Sequence, residues 1–201
     1  MNILTDRLPE TVTVGASQLE INTDFRAGVA FELMVEKGET NVYRLLYPFF
    51  PDGFPDDLDF EAVLEPVLWF YRCGDKSEQK GTGQTNNKQA YSFGVDGATI
   101  YADFWRFYGL DLSAMYLHWW AFRALLTGLP DDSGYKQRVY YRTCDLKGLP
   151  KKEQARINEI RKLIAINPDQ RGKVTLEERN AQMLAYVSKR SNEASNTEIK
   201  G

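Results

Sequence analysis

Apolar residues recur at spacings of three and four along most of this chain, which is the period of an amphipathic helix. The pattern is clearest from Leu110 to Leu129, where Leu112, Met115, Trp119, Phe122, Leu126 and Leu129 make one continuous stripe. Leu117, Ala121 and Leu125 extend it to the other side. A helix that is apolar over most of its surface belongs inside a fold or beneath a partner. The expectation is a buried helix that begins near Asp111 and is stopped by Gly128, Leu129 and Pro130.

Alternation with period two occurs only near the start, where Val12, Val14, Leu19 and Ile21 flank Gly15-Ala16-Ser17 and predict a small β-hairpin. From Thr23 the pattern turns helical, with Asn22 or Thr23 as cap, Phe25, Val29, Phe31, Leu33 and Met34 as apolar positions and Gly38 as the stop. Residues 43–50 predict another short helix, ended by Pro48 and the turn cluster behind it. Phe60, Val63, Leu64, Val67, Leu68 and Tyr71 trace a helical face over residues 57–72, in which Pro66 is expected to kink the helix or mark its true start. Ile100, Phe104, Phe107 and Tyr108 define a helix ending at Gly109, and residues 135–142 a short polar and aromatic one. Pro150 opens a helix to about Ile166 with Ile157, Ile160, Leu163 and Ile164 inward. Thr175 with Glu178 has the form of a capping box for a last helix carrying Leu176, Met183, Leu184 and Val187.

Residues 74–89 hold no hydrophobic side chain in 16 positions and read as a mobile surface insertion, and after Ser191 nothing remains to be buried. The expected architecture is therefore mainly α. A helical domain over residues 1–166 carries a short N-terminal β-hairpin and the insertion. Residues 167–201 form a weakly attached C-terminal helical arm with a disordered end.

The chain of 201 residues is long enough to bury a core without staples. No uncharged apolar run reaches the roughly 18 to 20 residues of a membrane span. The start, MNILTDRLPE, has an acid and an early proline in place of a basic and then apolar signal segment, so the expected location is cytoplasmic and away from the membrane. Cys73 and Cys144 have no second Cys or His near either in sequence and are expected as buried thiols. Net charge is −3, but residues 1–149 carry 14 basic and 21 acidic groups while residues 150–201 carry 11 and 7. The acidic body argues against nucleic acid as a partner. In the basic tail Glu153, Glu159, Glu177 and Glu178 are interspersed, which is the pattern of a solvated helix face.

Candidate chemistry is scarce. The only histidine, His118, lies between Leu117 and Trp119 on the most apolar stretch, where a base lacks access. No nucleophile elbow, phosphate loop or dinucleotide fingerprint occurs; KGTGQT at Lys80 to Thr85 lacks both the preceding strand and the Lys-Ser/Thr end. Asp52, Asp56, Asp57, Asp59 and Glu61 concentrate acidic charge without the alternate-residue ligand loop of a calcium site, and Asp57 and Asp59 suit a helix start. No catalytic residue, cofactor or metal ligand is assigned, and no enzyme is expected. What is unusual is an aromatic fraction of 13%, with 11 of the aromatics between Tyr91 and Phe122. Trp119 and Trp120 point about 100° apart on a helix, so either both fill a core or one of them reaches a second surface. Exposed aromatics anchor protein interfaces. The candidate partner-binding residues are Trp119, Trp120, Trp105, Trp69 and Phe122.

Three stretches carry a family likeness: LPETVTV followed by LEINTDFRAGVAFE, then WFYRCG at Trp69 to Gly74 before the polar insertion, then Tyr101 through LHWWAFRALLTGLP to YYRTCDL at Tyr140. In that order and spacing they resemble a family of phage proteins often labelled gene product fifteen, found in long-tailed phages and prophages of Gram-positive bacteria. The likeness covers about residues 1–165. It implies a role in tail morphogenesis, because genes of this type lie between those of the major tail protein and the tape measure, where tail-assembly chaperones are encoded. The implied partner is the tape measure protein in the host cytoplasm, with the major tail protein as a second candidate and self-association by analogy with proteins that coat a long client. The alternative is a structural tail or neck component of the virion. No catalytic residues carry over from the resemblance.

Overall fold

The computed structural model describes residues 2–54, 60–75 and 89–166, and at Phe60 and Glu61 the backbone alone. The acidic residues at 56, 57 and 59, most of the 74–89 insertion and the whole 167–201 arm lie outside the described residues. Among those described, seven α-helices, one 3-10 turn and one antiparallel hairpin follow one another, so the protein is mainly helical with a short N-terminal hairpin. They fall into two compact units. One holds the described residues up to 75 together with His118–Trp120; the other holds residues 89–117 and 121–166.

In the first unit, β1 (Thr11–Val14) and β2 (Ser17–Glu20) pair with Thr11 opposite Glu20 and Val14 opposite Ser17. Gly15 has φ 59°, the positive value that the first position of a tight hairpin turn needs. Two strands alone are marginal, and β1 buries Val12 and Val14 as it packs on α3 (Phe60–Tyr71). α1 (Phe25–Glu36) starts at Asp24, whose carboxylate accepts from the Arg26 N–H and pairs with the Arg26 guanidinium. The cap thus lies one residue beyond the expected Thr23 and two beyond Asn22. Asn22 is used otherwise, accepting from the Asp24 N–H and donating to the Pro48 carbonyl. α2 (Val42–Leu46) is capped by Asn41 and tightens into a 3-10 turn over Tyr47–Phe49, where Pro48 has no N–H to continue an α-helix. α3 keeps Pro66 inside it; the lost backbone bond is outweighed because Val63, Leu64, Val67, Leu68 and Phe70 are all fully buried.

In the second unit, α4 (Phe93–Tyr108) begins at Ser92, whose hydroxyl accepts from the Val95 N–H. It ends at Gly109 in the left-handed conformation, φ 67°, with the Leu110 N–H returning to the Phe104 carbonyl. α5 (Trp119–Gly128) has its first two residues in the first unit and the rest here. Phe122 of α5 stacks on Phe104, centroids 5.2 Å apart, and the Tyr108 hydroxyl donates to the Leu125 carbonyl. The first amides of α6 (Gly134–Thr143) are capped from another helix: Asp103 accepts from the Gly134 and Tyr135 N–H groups, and Ser133 accepts from Lys136. α7 (Lys151–Leu163) starts behind Pro150 and buries Ile157; Leu163, expected inward, is exposed.

The largest difference from expectation is the start of α5. The periodic stripe predicts a helix from Asp111, yet the α-helix begins at Trp119. Asp111 accepts from the Ser113 N–H and hydroxyl and from Tyr101, which closes a single turn. The chain then runs extended into His118, which forms an isolated antiparallel bridge with Asp24, and the Trp119 N–H donates to the Thr23 carbonyl at 2.7 Å. A turn followed by a helix can bury Leu112 and Phe122 as one helix would, so periodicity does not separate the two cases.

Gly28 on α1 supplies a sharp test. A β-carbon there would stand 2.4–2.6 Å from the Trp119 ring, whereas one on Gly97 of α4 would meet nothing within 4 Å. Gly28→Ala is expected to destabilise by about 2–3 kcal/mol through overpacking, and Gly97→Ala to stabilise by about 1 kcal/mol through helix propensity; urea denaturation of both variants measures the difference.

Candidate functional site

The two adjacent tryptophans meet the end of α3. Trp119 Nε1 donates to the Tyr71 carbonyl at 2.8 Å and Trp120 Nε1 to the Phe70 carbonyl at 2.7 Å. These are among the last carbonyls of α3, which have no partner within the helix, so the indoles cap it. The Trp119 ring stacks on Tyr71 (5.7 Å, 15°), and Trp120 meets Trp69 edge-on at 5.4 Å and Phe70 at 6.1 Å. Behind them Phe31 touches Tyr71 and Phe49. α3 is ended by Cys73 at φ 59° and Gly74 at φ 77°, with the Gly74 N–H on the Trp69 carbonyl. A β-carbon on Gly74 would lie 2.8 Å from the Trp120 ring.

His118 serves this junction. Its Nδ1 accepts from the Trp120 N–H at 3.1 Å, capping the first turn of α5, and its Nε2 stands 3.0 Å from the Pro9 carbonyl. Since a carbonyl only accepts, the ring is neutral with its hydrogen on Nε2. Burial pushes its pKa below the ordinary 6.5, against the opposing pull of the Pro9 carbonyl and the Glu10 charge.

The second unit holds a buried ionic cluster. Arg142 grips the fully buried Asp96 with two guanidinium nitrogens at 2.5 and 2.9 Å, and Arg138 adds a third bond at 3.0 Å. Arg142 also donates to the carbonyls of Ala90 and Ile164, joining the described ends of this unit. Burial raises the Asp96 pKa, but the bonds from Arg142, Ser92 and Arg138 outweigh it and hold the carboxyl below its ordinary 3.8. Every member donates or accepts within the cluster, which fits a structural tie. Among the described residues no group of three His, Cys, Asp or Glu could hold a metal ion, and no helix is long and apolar enough to cross a membrane. Cys73 and Cys144 are half-buried and form no disulfide.

The candidate partner-binding residues are divided by burial. Trp119 (0%), Trp120 (5%) and Phe122 (1%) lie in the interior, Trp69 is half-buried, and Trp105 is 55% exposed. Exposed aromatics that sequence reasoning missed are Tyr116 and Tyr140 in the second unit and Tyr43 and Tyr47 in the first. Trp105 belongs to an outward face of α4 made of Gly94, Val95, Gly97, Ala98, Tyr101, Ala102, Trp105 and Arg106, of which only Arg106 is charged. The period that placed Ile100 and Phe104 inward leaves this face opposite them, so the signal was available in the spacing 94, 98, 101 and 105.

Two measurements test the junction. Trp119→Phe keeps a ring but takes the indole N–H from the Tyr71 carbonyl, leaving it the weak Cys73 thiol donor at 3.9 Å, and is expected to cost about 2–3 kcal/mol in chemical denaturation; Trp120→Phe costs less, because the Phe70 carbonyl keeps the stronger Cys73 N–H donor at 3.0 Å. For His118 the unfolded chain takes up a proton near pH 6.5 that the folded form refuses. Stability therefore falls as pH drops below about 6.5 and levels off below the lowered folded pKa. Denaturation midpoints at pH 7.5 and 5.5 should differ in this sense for the wild type, and the difference should shrink in His118→Gln.

No curated protein and no solved structure matches the chain. The family described as Bacteriophage Gp15 protein matches residues 4–166, which takes in the whole hairpin and every described helix. With its model covering more than half of the sequence, the chain belongs to the bacteriophage Gp15 protein family.

Proposed function

We propose that this phage protein is a tail-assembly chaperone that holds the tape measure protein in the host cytoplasm until tail-tube subunits polymerise around it. The observation that carries the reading is membership of the Gp15 family across residues 4–166. A tape measure exposes long apolar helical stripes, and such stripes are received by apolar and aromatic surface. The second unit offers that surface at Tyr116 and Tyr140, each more than half exposed. Consistent with a binding role, the one histidine and the buried acids Glu32, Asp96 and Asp103 are all engaged in holding the fold.

Co-expression with the tape measure protein encoded beside it tests this. Co-purification is expected, weakened by Tyr116→Ser combined with Tyr140→Ser in a chain of unchanged thermal midpoint, and mass spectrometry of purified virions should not find the protein. Failure to co-purify, together with presence in virions, would replace the chaperone by a structural tail or neck subunit.

A further inference from the structure

We propose that the outward face of α4 is a self-pairing seam, which joins two copies of this chain through antiparallel α4 helices related by a two-fold axis. Gly94, Ala98, Tyr101 and Trp105 follow one another at spacings of four, three and four along the centre of that face. This is the alternation of a helix-pairing seam, in which side chains of one helix enter gaps between those of another. A seam of that spacing takes a helix and not an extended segment.

Size identifies the helix. When α4 is laid against its own copy, antiparallel and centred between Thr99 and Ile100, Gly94 stands opposite Trp105 of the second copy and Ala98 opposite Tyr101. Gly97 then faces Ala102. Each large ring meets a small residue, and the two-fold repeats the match on the other side, as a self-complementary contact requires. In a parallel pairing in register, Trp105 would meet Trp105 and Gly94 would meet Gly94, leaving a clash at one end and a gap at the other.

Charge and glycine usage agree. The only charged residue of the face is Arg106, and in the antiparallel pair the two Arg106 residues lie about 20 Å apart along the axis, beyond the screening length of physiological salt. Among the described residues nothing requires Gly97 to lack a side chain, because a β-carbon there meets none of their atoms within 4 Å. Mid-helix glycine lowers helix propensity, and close approach of another backbone is a reason to keep it.

Area sets the strength. Trp105 is 55% exposed and Tyr101 39%, so with the smaller residues the seam offers on the order of 400 Å² per copy, about half the share of a standard interface. The pair is therefore reversible, with monomer and dimer exchanging as concentration changes.

Sedimentation velocity of the full chain from low micromolar to near-millimolar concentration tests the inference. The expected average mass rises from 23.1 kDa toward twice that value. Ala98→Arg and, separately, Trp105→Ala, both at exposed positions and checked for an unchanged thermal midpoint, should stay at one copy throughout. An equimolar mixture of Ala98→Cys and Tyr101→Cys chains should form the 98–101 disulfide, located by mass spectrometry, faster than either chain alone forms a cross-link. A wild type that stays at one copy at every concentration overturns the proposal. So does self-association that both variants retain, or a monomeric wild type whose Ala98→Arg form loses the tape measure protein, since the seam would then take a foreign helix.

Discussion

The carboxyl end of α3 is the constraint on which the first unit depends. Two consecutive carbonyls, Phe70 and Tyr71, are closed by the indole N–H groups of two consecutive tryptophans. For both rings to arrive there, the backbone at 118 must be extended and α5 must begin at Trp119, as the bridge to Asp24 and the Thr23 bond require. Gly28 must leave room for one ring and Gly74 for the other. A neutral imidazole at 118 then satisfies the first turn of the new helix. Each of these demands follows from placing bulky donors against the last carbonyls of a helix in a dry core, where an unmade hydrogen bond costs about 1–3 kcal/mol.

The second unit solves its helix ends with charge. Asp103 reaches across from α4 to the first amides of α6, and Arg161 of α7 donates to the carbonyls of Tyr141 and Cys144 at the other end of α6. Asp96 and Arg142 tie α4 to α6 and to the Ala90 and Ile164 carbonyls. A buried ion pair contributes little net stability compared with well-packed apolar groups, but losing one member strands a charge. Its effect is on geometry: α4 is held by its acidic face, and that fixes which side of the helix is left outward.

Much of this was legible beforehand, and the failures have a common cause. The hairpin, α1, α4 and α7 followed from period and punctuation, since Gly15, Gly38, Gly109 and Pro150 mark turns and ends that local chemistry decides, while α3 and α6 followed from period. The start of α5 was not legible, because the bonds that end the extended stretch come from Thr23 and Asp24, about 95 positions earlier in the chain. Leu163 was read as inward from a period that continues past the last contact α7 makes. The pairing of Asp96 with Arg142 links positions 46 apart, and nothing in the composition of either neighbourhood marks it.

The aromatic surplus has two fates, and the candidate residues were drawn from both. Trp119, Trp120 and Phe122 are spent on the interior, where their removal would disturb folding before it disturbed any partner. Trp105 and Tyr101 are held outward because Asp96, Ile100, Asp103 and Phe104 occupy the inner side of the same helix. An aromatic on a helix whose opposite face is locked by ionic bonds cannot turn inward, so its exposure is a fixed property of the fold. That distinguishes it from the chance apolar residue on a surface, which needs no explanation.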